Sequence, residues 1–404
     1  MQWLSRVMLK LLIENTLVKV VGMERGYKIL GNYIRLVDER NRDLAVTKLL
    51  GVSISKKFIP SIANIVGTDL SNYKIVRTGQ FAYGPVTSRN GEKISIAYLD
   101  EEDCIISSSY TVFEVENKEE LDPEYLMLWF SRPEFDRYAR YKSHGSVREI
   151  FDWNELCMVE LPVPDIEKQR KIVKAYKAIT DRIALKQKIN DNLEEAASAI
   201  FKSYFVTFEH YGGNMPPNWK QATIGDVVSV SRGASPRPIQ DYISQSGMPW
   251  VKISDASSSV SKYLFKTAEY IIPEGIQNSR TVTKGMMIVS NSASPGLPMI
   301  MEITACVHDG WLIIDDYDCV TQEFMYYHFL NERQSLISSS NGSVFNNLKI
   351  DIVKSHPIII PDEETMTKVT QQFRRLNKAI KQNAKEINSL VELQYNLLSK
   401  LSNY

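Results

Sequence analysis

The chain has 404 residues, with 48 Lys plus Arg against 48 Asp plus Glu and a formal net charge of zero. That length exceeds one ordinary hydrophobic core and predicts two or more domains of a globular protein. The charge balance excludes an overall basic field, so any attraction to nucleic acid must come from local patches.

At the N-terminus, "MQWLSRVMLKLLIENTLVKVVGM" is apolar, but Arg6, Lys10, Glu14 and Asn15 interrupt it well short of a membrane span or a secretion signal. Trp3, Leu4, Val7, Met8, Leu11 and Leu12 recur at helical spacing, which predicts an amphipathic segment over residues 1–26, with Met23 as an alternative start. A first globular domain is expected over 27–163. Within it "KISIAYL" (Lys93–Leu99) and "YTVFEV" (Tyr110–Val115) alternate like strands, and "YGPVTSRNGE" reads as a loop. A long helix over 164–209 follows, then a second globular domain over 210–360. There "ATIGDVVSVS" (Ala222–Ser231) has strand alternation and "VSNSASPGLP" reads as a loop. A second long helix, 361–404, completes an α+β chain.

The order of elements repeats because the sequence does. "GSVREIFDWNELCMVELPVPD" from Gly145 and "GSVFNNLKIDIVKSHPIIIPD" from Gly342 align without a gap at an offset of 197. Leu156 falls over Val353, Leu161 over Ile358 and Pro164-Asp165 over Pro361-Asp362. Weaker echoes lie upstream: "ILGNYIRL" at Ile29 with "TIGDVVSV" at Thr223, and "EYLMLWF" at Glu124 with "EFMYYHF" at Glu323. Each Pro-Asp is a helix start signal, the aspartate accepting hydrogen bonds from free backbone N–H groups.

Past those starts, Ile172, Tyr176, Ile179, Ile183 and Leu193 lie over Val369, Phe373, Leu376, Ile380 and Leu390, and the second series continues through Ile387, Leu397 and Leu401. Steps of three and four make this the seam of a coiled coil. A helix from Asp165 to Phe205 is roughly 60 Å long and has to bury its apolar stripe on a partner. The two copies supply a partner within one chain, and a homodimer is the alternative. Lys186, Asn190, Asn383 and Gln394 interrupt the seams with polar groups that can fix register.

No motif supports catalysis. "MPPNW" (Met215–Trp219) lacks the residue before and the aromatic after its prolines that a base methyltransferase uses, and no Gly-x-x-x-x-Gly-Lys-Ser/Thr is present. Pro164-Asp165 and Glu167-Lys168 are packed too closely for a nuclease metal site, so helix capping explains them. His144, His210, His308, His328 and His356 show no ligand spacing, and Cys104, Cys157, Cys306 and Cys319 form no Cys-x-x-Cys pair. The cysteines fit a reduced, cytoplasmic compartment. We therefore expect a non-enzymatic chain without metal or cofactor of its own.

Two similar domains on paired helices set two surfaces at a fixed distance, related by a pseudo-two-fold axis. Duplex DNA rewards such spacing, since its grooves return about every 34 Å. Candidate contact residues are Arg77, Arg89, Asn90, Lys93 and Arg148 in the first domain. In the second they are Arg232, Arg237, Asn278, Arg280, Lys284, Asn291 and Asn341. Arg can read guanine and Asn adenine by bidentate hydrogen bonds, while Lys mostly holds phosphate. Arg148 is the best single candidate, with an ion pair to a neighbouring carboxylate as the competing role.

The helix start "LPVPDIEKQRKIV", its end "AIFKSYFVTFE" and the weaker second copy resemble the specificity subunit of type I restriction-modification systems, from about Tyr27 onward. The resemblance implies two target-recognition domains, each binding half of a bipartite double-stranded DNA sequence, separated by two antiparallel helices. It further implies that the helices dock two modification subunits that bind S-adenosylmethionine and methylate adenine. Restriction subunits using ATP and Mg are an optional further partner, and no membrane is involved. The second helix start, "IIIPDEETMTKV", departs from the pattern by lacking the Gln-Arg-x-Ile of Gln169–Ile172. Segment 1–21 has no repeat partner and is expected to lie against the helix pair near the C-terminus. The competing reading is a coiled-coil interaction protein whose domains bind protein or carbohydrate.

Overall fold

A computed structural model describes residues 26–61, 67–88, 90–145, 148–340 and 347–401. The expected N-terminal helix with its Trp3–Leu12 seam, together with Arg89 and Asn341, lies outside the described residues. The chain divides into two compact units, Met1–Asp181 with Val391–Tyr404, and Arg182–Leu390. No helix among the described residues is long and apolar enough to cross a membrane.

In the first unit an antiparallel sheet takes the order Ile34–Val37, Thr111–Val115, Phe81–Tyr83, Ile96–Tyr98. The two stretches expected as strands form here, each shorter than its alternating pattern. Helix Pro123–Phe130 packs on the sheet, and helix Pro133–Tyr141 packs on that helix through Phe135 and Phe130. Asp122 caps the first of them, accepting from the N–H groups of Glu124 (2.8 Å) and Tyr125 (3.0 Å). Phe81 stacks on Phe113 at 4.9 Å, and Phe130 meets both edge-on. Such offset and edge contacts add to what burial of the rings contributes.

The second unit has two five-stranded sheets. One takes the order Ser229–Arg232, Trp311–Asp315, Met287–Ser290, Pro298–Met301, Tyr263–Leu264. The other takes the order Ile243–Ser244, Glu269–Ile271, Met248–Val251, Ala305–Val307, Arg280–Val282. The run Ala222–Ser231, read from its alternation as one strand, is broken by the one-turn helix Ile224–Val227. Thr223 and Asp226 close a capping box there: the Asp226 carboxylate accepts from the Thr223 N–H at 2.8 Å. This local hydrogen bonding outweighs the alternation.

The sequence repeat is a structural repeat. Strand Tyr27–Ile29 pairs antiparallel with Glu160–Pro162, Tyr27 opposite Pro162; strand Lys220–Thr223 pairs with Pro357–Ile360, Gln221 opposite Ile359. The next N–H donates across in both copies, Leu30 to Val159 O (2.8 Å) and Ile224 to His356 O (2.9 Å). Gly31 lies so close to the helix Trp153–Cys157 that a Cβ would stand 2.9 Å from Cys157 Cβ; at Gly225 it would stand 3.0 Å from Lys354 Cβ, on the helix Ile350–Lys354. Leu156 and Val353 are both fully buried, as are Leu161 and, within 2%, Ile358. The long helices then start at corresponding caps: Asp165 accepts from the Lys168 N–H (3.0 Å) and Asp362 from the Thr365 N–H (2.9 Å).

Those helices are Ile166–Phe205 and Glu363–Lys400. Their polar seam residues find one another. Lys186 donates to Asn383 Oδ1 at 2.9 Å, Asn383 Nδ2 donates to Asn190 Oδ1 at 3.0 Å, and Gln394 donates to Thr180 at 2.7 Å. Lys186 and Asn383 are equivalent positions of the repeat, 197 residues apart. Of the apolar seam, Ile172, Ile179, Ile387, Leu390 and Leu397 are buried, and Tyr176, Ile183, Leu193 and Leu376 are half-buried. Val369, Phe373 and Ile380 belong to the core of the second globular domain, together with Phe201, Phe324 and Tyr327. Part of the heptad stripe thus seats a domain on its helix.

Candidate nucleic-acid interface

Three of the second-domain candidates, Arg232, Arg237 and Asn291, bond to one turn. Residues His308–Gly310 join the strand Ala305–Val307 of one sheet to Trp311–Asp315 of the other, and Asp309 sits at the tip. Arg232 Nε donates to the Asp309 carbonyl at 2.7 Å, Arg237 pairs with its carboxylate at 3.0 Å, and the Ser235 hydroxyl donates to the same carboxylate at 2.8 Å. The chain can pass this closely because residue 233 is glycine: a Cβ there would stand 2.2 Å from the His308 carbonyl oxygen. Arg280 opens the edge strand and is opposite Val307, while Ser279 ties this segment back by donating to Ala234 O at 2.9 Å. Arg232, Arg237, Asn278 and Arg280 are exposed.

Arg237 thus pairs with the Asp309 carboxylate and Arg232 with the carbonyl of the same residue. Burial pushes the Asp309 carboxyl up, but the Ser235 hydroxyl and the Arg237 guanidinium more than offset it, and it lies below its usual range. Burial lowers the pKa of His308, whose Nδ1 accepts the Gly310 N–H at 2.7 Å. Arg280 has no carboxylate within 4 Å among the described residues, so its charge is available to an incoming anion.

Asn291 is only 2% exposed and donates to the Asp309 carbonyl at 3.0 Å. It braces the turn from below, and its amide is turned inward rather than offered to a ligand. Lys284 is exposed but lies 3.8 Å from Glu302, which also takes Lys381 of the second long helix.

In the first unit, Asn90 and Lys93 follow Thr87, and Arg148 lies on the segment 143–150. Thr87 joins the two: its N–H donates to Glu149 O (2.9 Å) and its hydroxyl to Ser143 Oγ (2.9 Å), while Val86 bridges to Ile150. Lys93 and Arg148 are exposed, and neither has a carboxylate within 4 Å among the described residues. Glu149, the obvious partner for Arg148, is taken by Arg140. Arg77 is set apart, held by Glu39 and by Asp103 (2.7 Å), which raise its already high pKa. Its guanidinium is committed to those two carboxylates.

Asp309, Ser235 and Thr87 organise these surfaces and were not among the residues singled out from the sequence. The Asp-Gly pair at 309–310, set between apolar runs, is a turn signal that marks the first of them. Among the described residues no group of three or more His, Cys, Asp or Glu is placed to hold a metal.

Comparison with known proteins is consistent with this architecture. The family described as type I restriction modification DNA specificity domain matches residues 56–195 and again 216–392, well over half of the chain. The MjaIX type I restriction enzyme specificity subunit of Methanocaldococcus jannaschii is 24% identical over 295 residues, covering 69% of this chain and 68% of that protein. The HindI specificity subunit of Haemophilus influenzae is 27% identical over 185 residues, 45% of this chain and 39% of that one. The crystal structure of a type I restriction-modification system S subunit from M. genitalium shares the fold at a TM-score of 0.59 and 13% identity, covering 95% of this chain and 98% of that one. With the domain matched twice, once in each copy of the repeat, the chain belongs to the type I restriction-modification DNA specificity family.

Proposed function

We propose that the chain recognises an asymmetric, bipartite sequence in double-stranded DNA, one half through each globular domain, without catalysing a reaction itself. The observation that carries this reading is the repeated seat. Two domains enter their helices through the same register, the same glycine contact and the same aspartate cap, yet present different cationic edges. One edge offers Asn90, Lys93 and Arg148, and the other Arg232, Arg237, Asn278 and Arg280. Similar frames with different edges suit two different half-sites, where Arg and Asn read bases and Lys holds phosphate.

The long helices serve as an antiparallel coiled-coil frame that sets the spacing and docks two modification subunits. Contacts between them support this: as the first helix runs from Arg182 to Asn190, its partners on the second fall from Glu386 to Asn383. S-adenosylmethionine resides on the modification subunits; ATP and Mg belong to restriction subunits where these join, and the assembly works in the cytoplasm. Sequencing methylated bases in cells with and without this chain tests the reading. A bipartite methyladenine motif that disappears on deletion is expected, and an unchanged methylome refutes it.

A further inference from the structure

Lys262 is the most enclosed cation in the second unit, its side chain 2% exposed. An ammonium in such a place is destabilising by several kcal/mol unless its donors are met, and it has three donors. All three find oxygen: Glu194 on the first long helix at 3.0 Å, Asn377 on the second at 2.7 Å, and the Tyr327 hydroxyl on the helix Gln322–Ser340 at 2.8 Å. The Tyr326 ring lies under the charge, 4.4 Å from its centroid. The adjoining Tyr263 begins the edge strand paired with Pro298–Met301, and its hydroxyl donates to Asn377 O at 3.2 Å.

In the first copy, the positions of Tyr326, Tyr327 and Asn377 are taken by Met127, Leu128 and Thr180. There they line an open groove of about 850 Å³ together with Tyr98 and Tyr176. Met127 and Leu128 offer no oxygen to an ammonium, so no equivalent lock can form on them. The same place in the repeat is plugged by a saturated lysine in one copy and left open in the other.

We infer that Lys262 is the positioning residue that fixes the second globular domain to both long helices, and that the first domain is seated without such a lock. The reading edge of the second domain is thereby held by one cation that engages both helices, whereas the first domain meets its helix through Gln169 and the Lys177–Glu124 pair. The consequence for DNA rests on the function proposed above; the lock itself does not.

Hydrogen exchange read by mass spectrometry on the full chain, wild type against Lys262→Met, tests the lock. Amides of Tyr263–Leu264 and Met299–Met301 should exchange roughly tenfold faster or more in the variant, because opening there no longer breaks a saturated charge network. Amides of Thr111–Val115 in the first unit should be unchanged. If the variant does not accumulate, Tyr327→Phe removes one acceptor and should give about threefold at the same amides. A folded variant with wild-type exchange overturns the inference, as does acceleration spread over both units. In cells, Lys262→Met should blur one half of the methylated motif only, and blurring of both halves counts against it. If the wild-type chain directs no motif, the proposed function fails while the exchange result still decides the lock.

Discussion

Mild acid should destabilise the second unit through His328. This residue is 7% exposed, its ring stacks near Phe324 at 6.2 Å and faces Phe201 at 6.4 Å, and its Nε2 has no hydrogen-bond partner among the described residues. Burial, reinforced by the neighbouring His356, pushes its pKa down from 6.5 to about 3. The unfolded chain binds a proton below pH 6.5 that the folded chain refuses until about pH 3, so the stability present above that window is lost as pH falls through it. Each pH unit inside the window removes up to about 1.4 kcal/mol, so going from about pH 7.5 to about 4.5 removes roughly 2.5 kcal/mol. That is a large fraction of the ~5–15 kcal/mol by which domains are usually stable. Urea denaturation across this range, for wild type and His328→Phe, isolates the contribution, because phenylalanine fits the aromatic surroundings and binds no proton. The variant should lose about one proton's worth of pH slope. Parallel curves for the two proteins would refute the assignment.

Two further substitutions probe the repeated seat. Gln169 is fully buried and donates to Glu120 O (2.8 Å) and Pro164 O (2.7 Å) while accepting the Asp122 N–H (2.8 Å). Gln169→Met installs the residue found at the equivalent position 366, yet strands three backbone groups at a cost of about 2–4 kcal/mol; calorimetry should show the first unit melting roughly 5–10 °C lower. Gly31→Ala and Gly225→Ala should each cost about 1–3 kcal/mol, by pushing apart a strand end and a helix that cannot yield. Gly26→Ala, with nothing within 4 Å of the added carbon, should be neutral in the same melt.

The missing Gln-Arg-x-Ile of the second copy looks, as sequence, like a difference in partner binding. In the fold Gln169 is an internal strut tying the helix start to the turn at Glu120–Asp122, and Met366 fills the same space with an apolar side chain. Spacing arguments located what is periodic or capped: the two helices, their aspartate starts and the buried Leu156 and Val353. They could not separate residues of one type by their surroundings. Arg77 and Arg148 look alike in sequence, but Glu39 and Asp103 converge on the first from distant strands, whereas Arg140 takes the carboxylate beside the second. Asn291 reads as a loop amide and is a buried brace. The heptad stripe likewise does not name its partner, which is why Val369 and Phe373 turn out to serve a domain core.

The constant distance from Trp153 to Asp165, and from Ile350 to Asp362, has a physical cause. Along each run the chain is tied down in turn: the short helix presses on Gly31 or Gly225, the next strand pairs in fixed register, and the aspartate caps the long helix. Side chains on a strand alternate between faces, so one residue more or fewer would turn Leu161 or Ile358 out of the core. It would also rotate the helix start by about 100° against its seat, since an α-helix has 3.6 residues per turn. Length is therefore constrained at every step while identity is constrained only at the contacts. The loops that carry Arg148 and Asp309 lie outside those contacts and are free to differ, so a single frame can present two unlike surfaces.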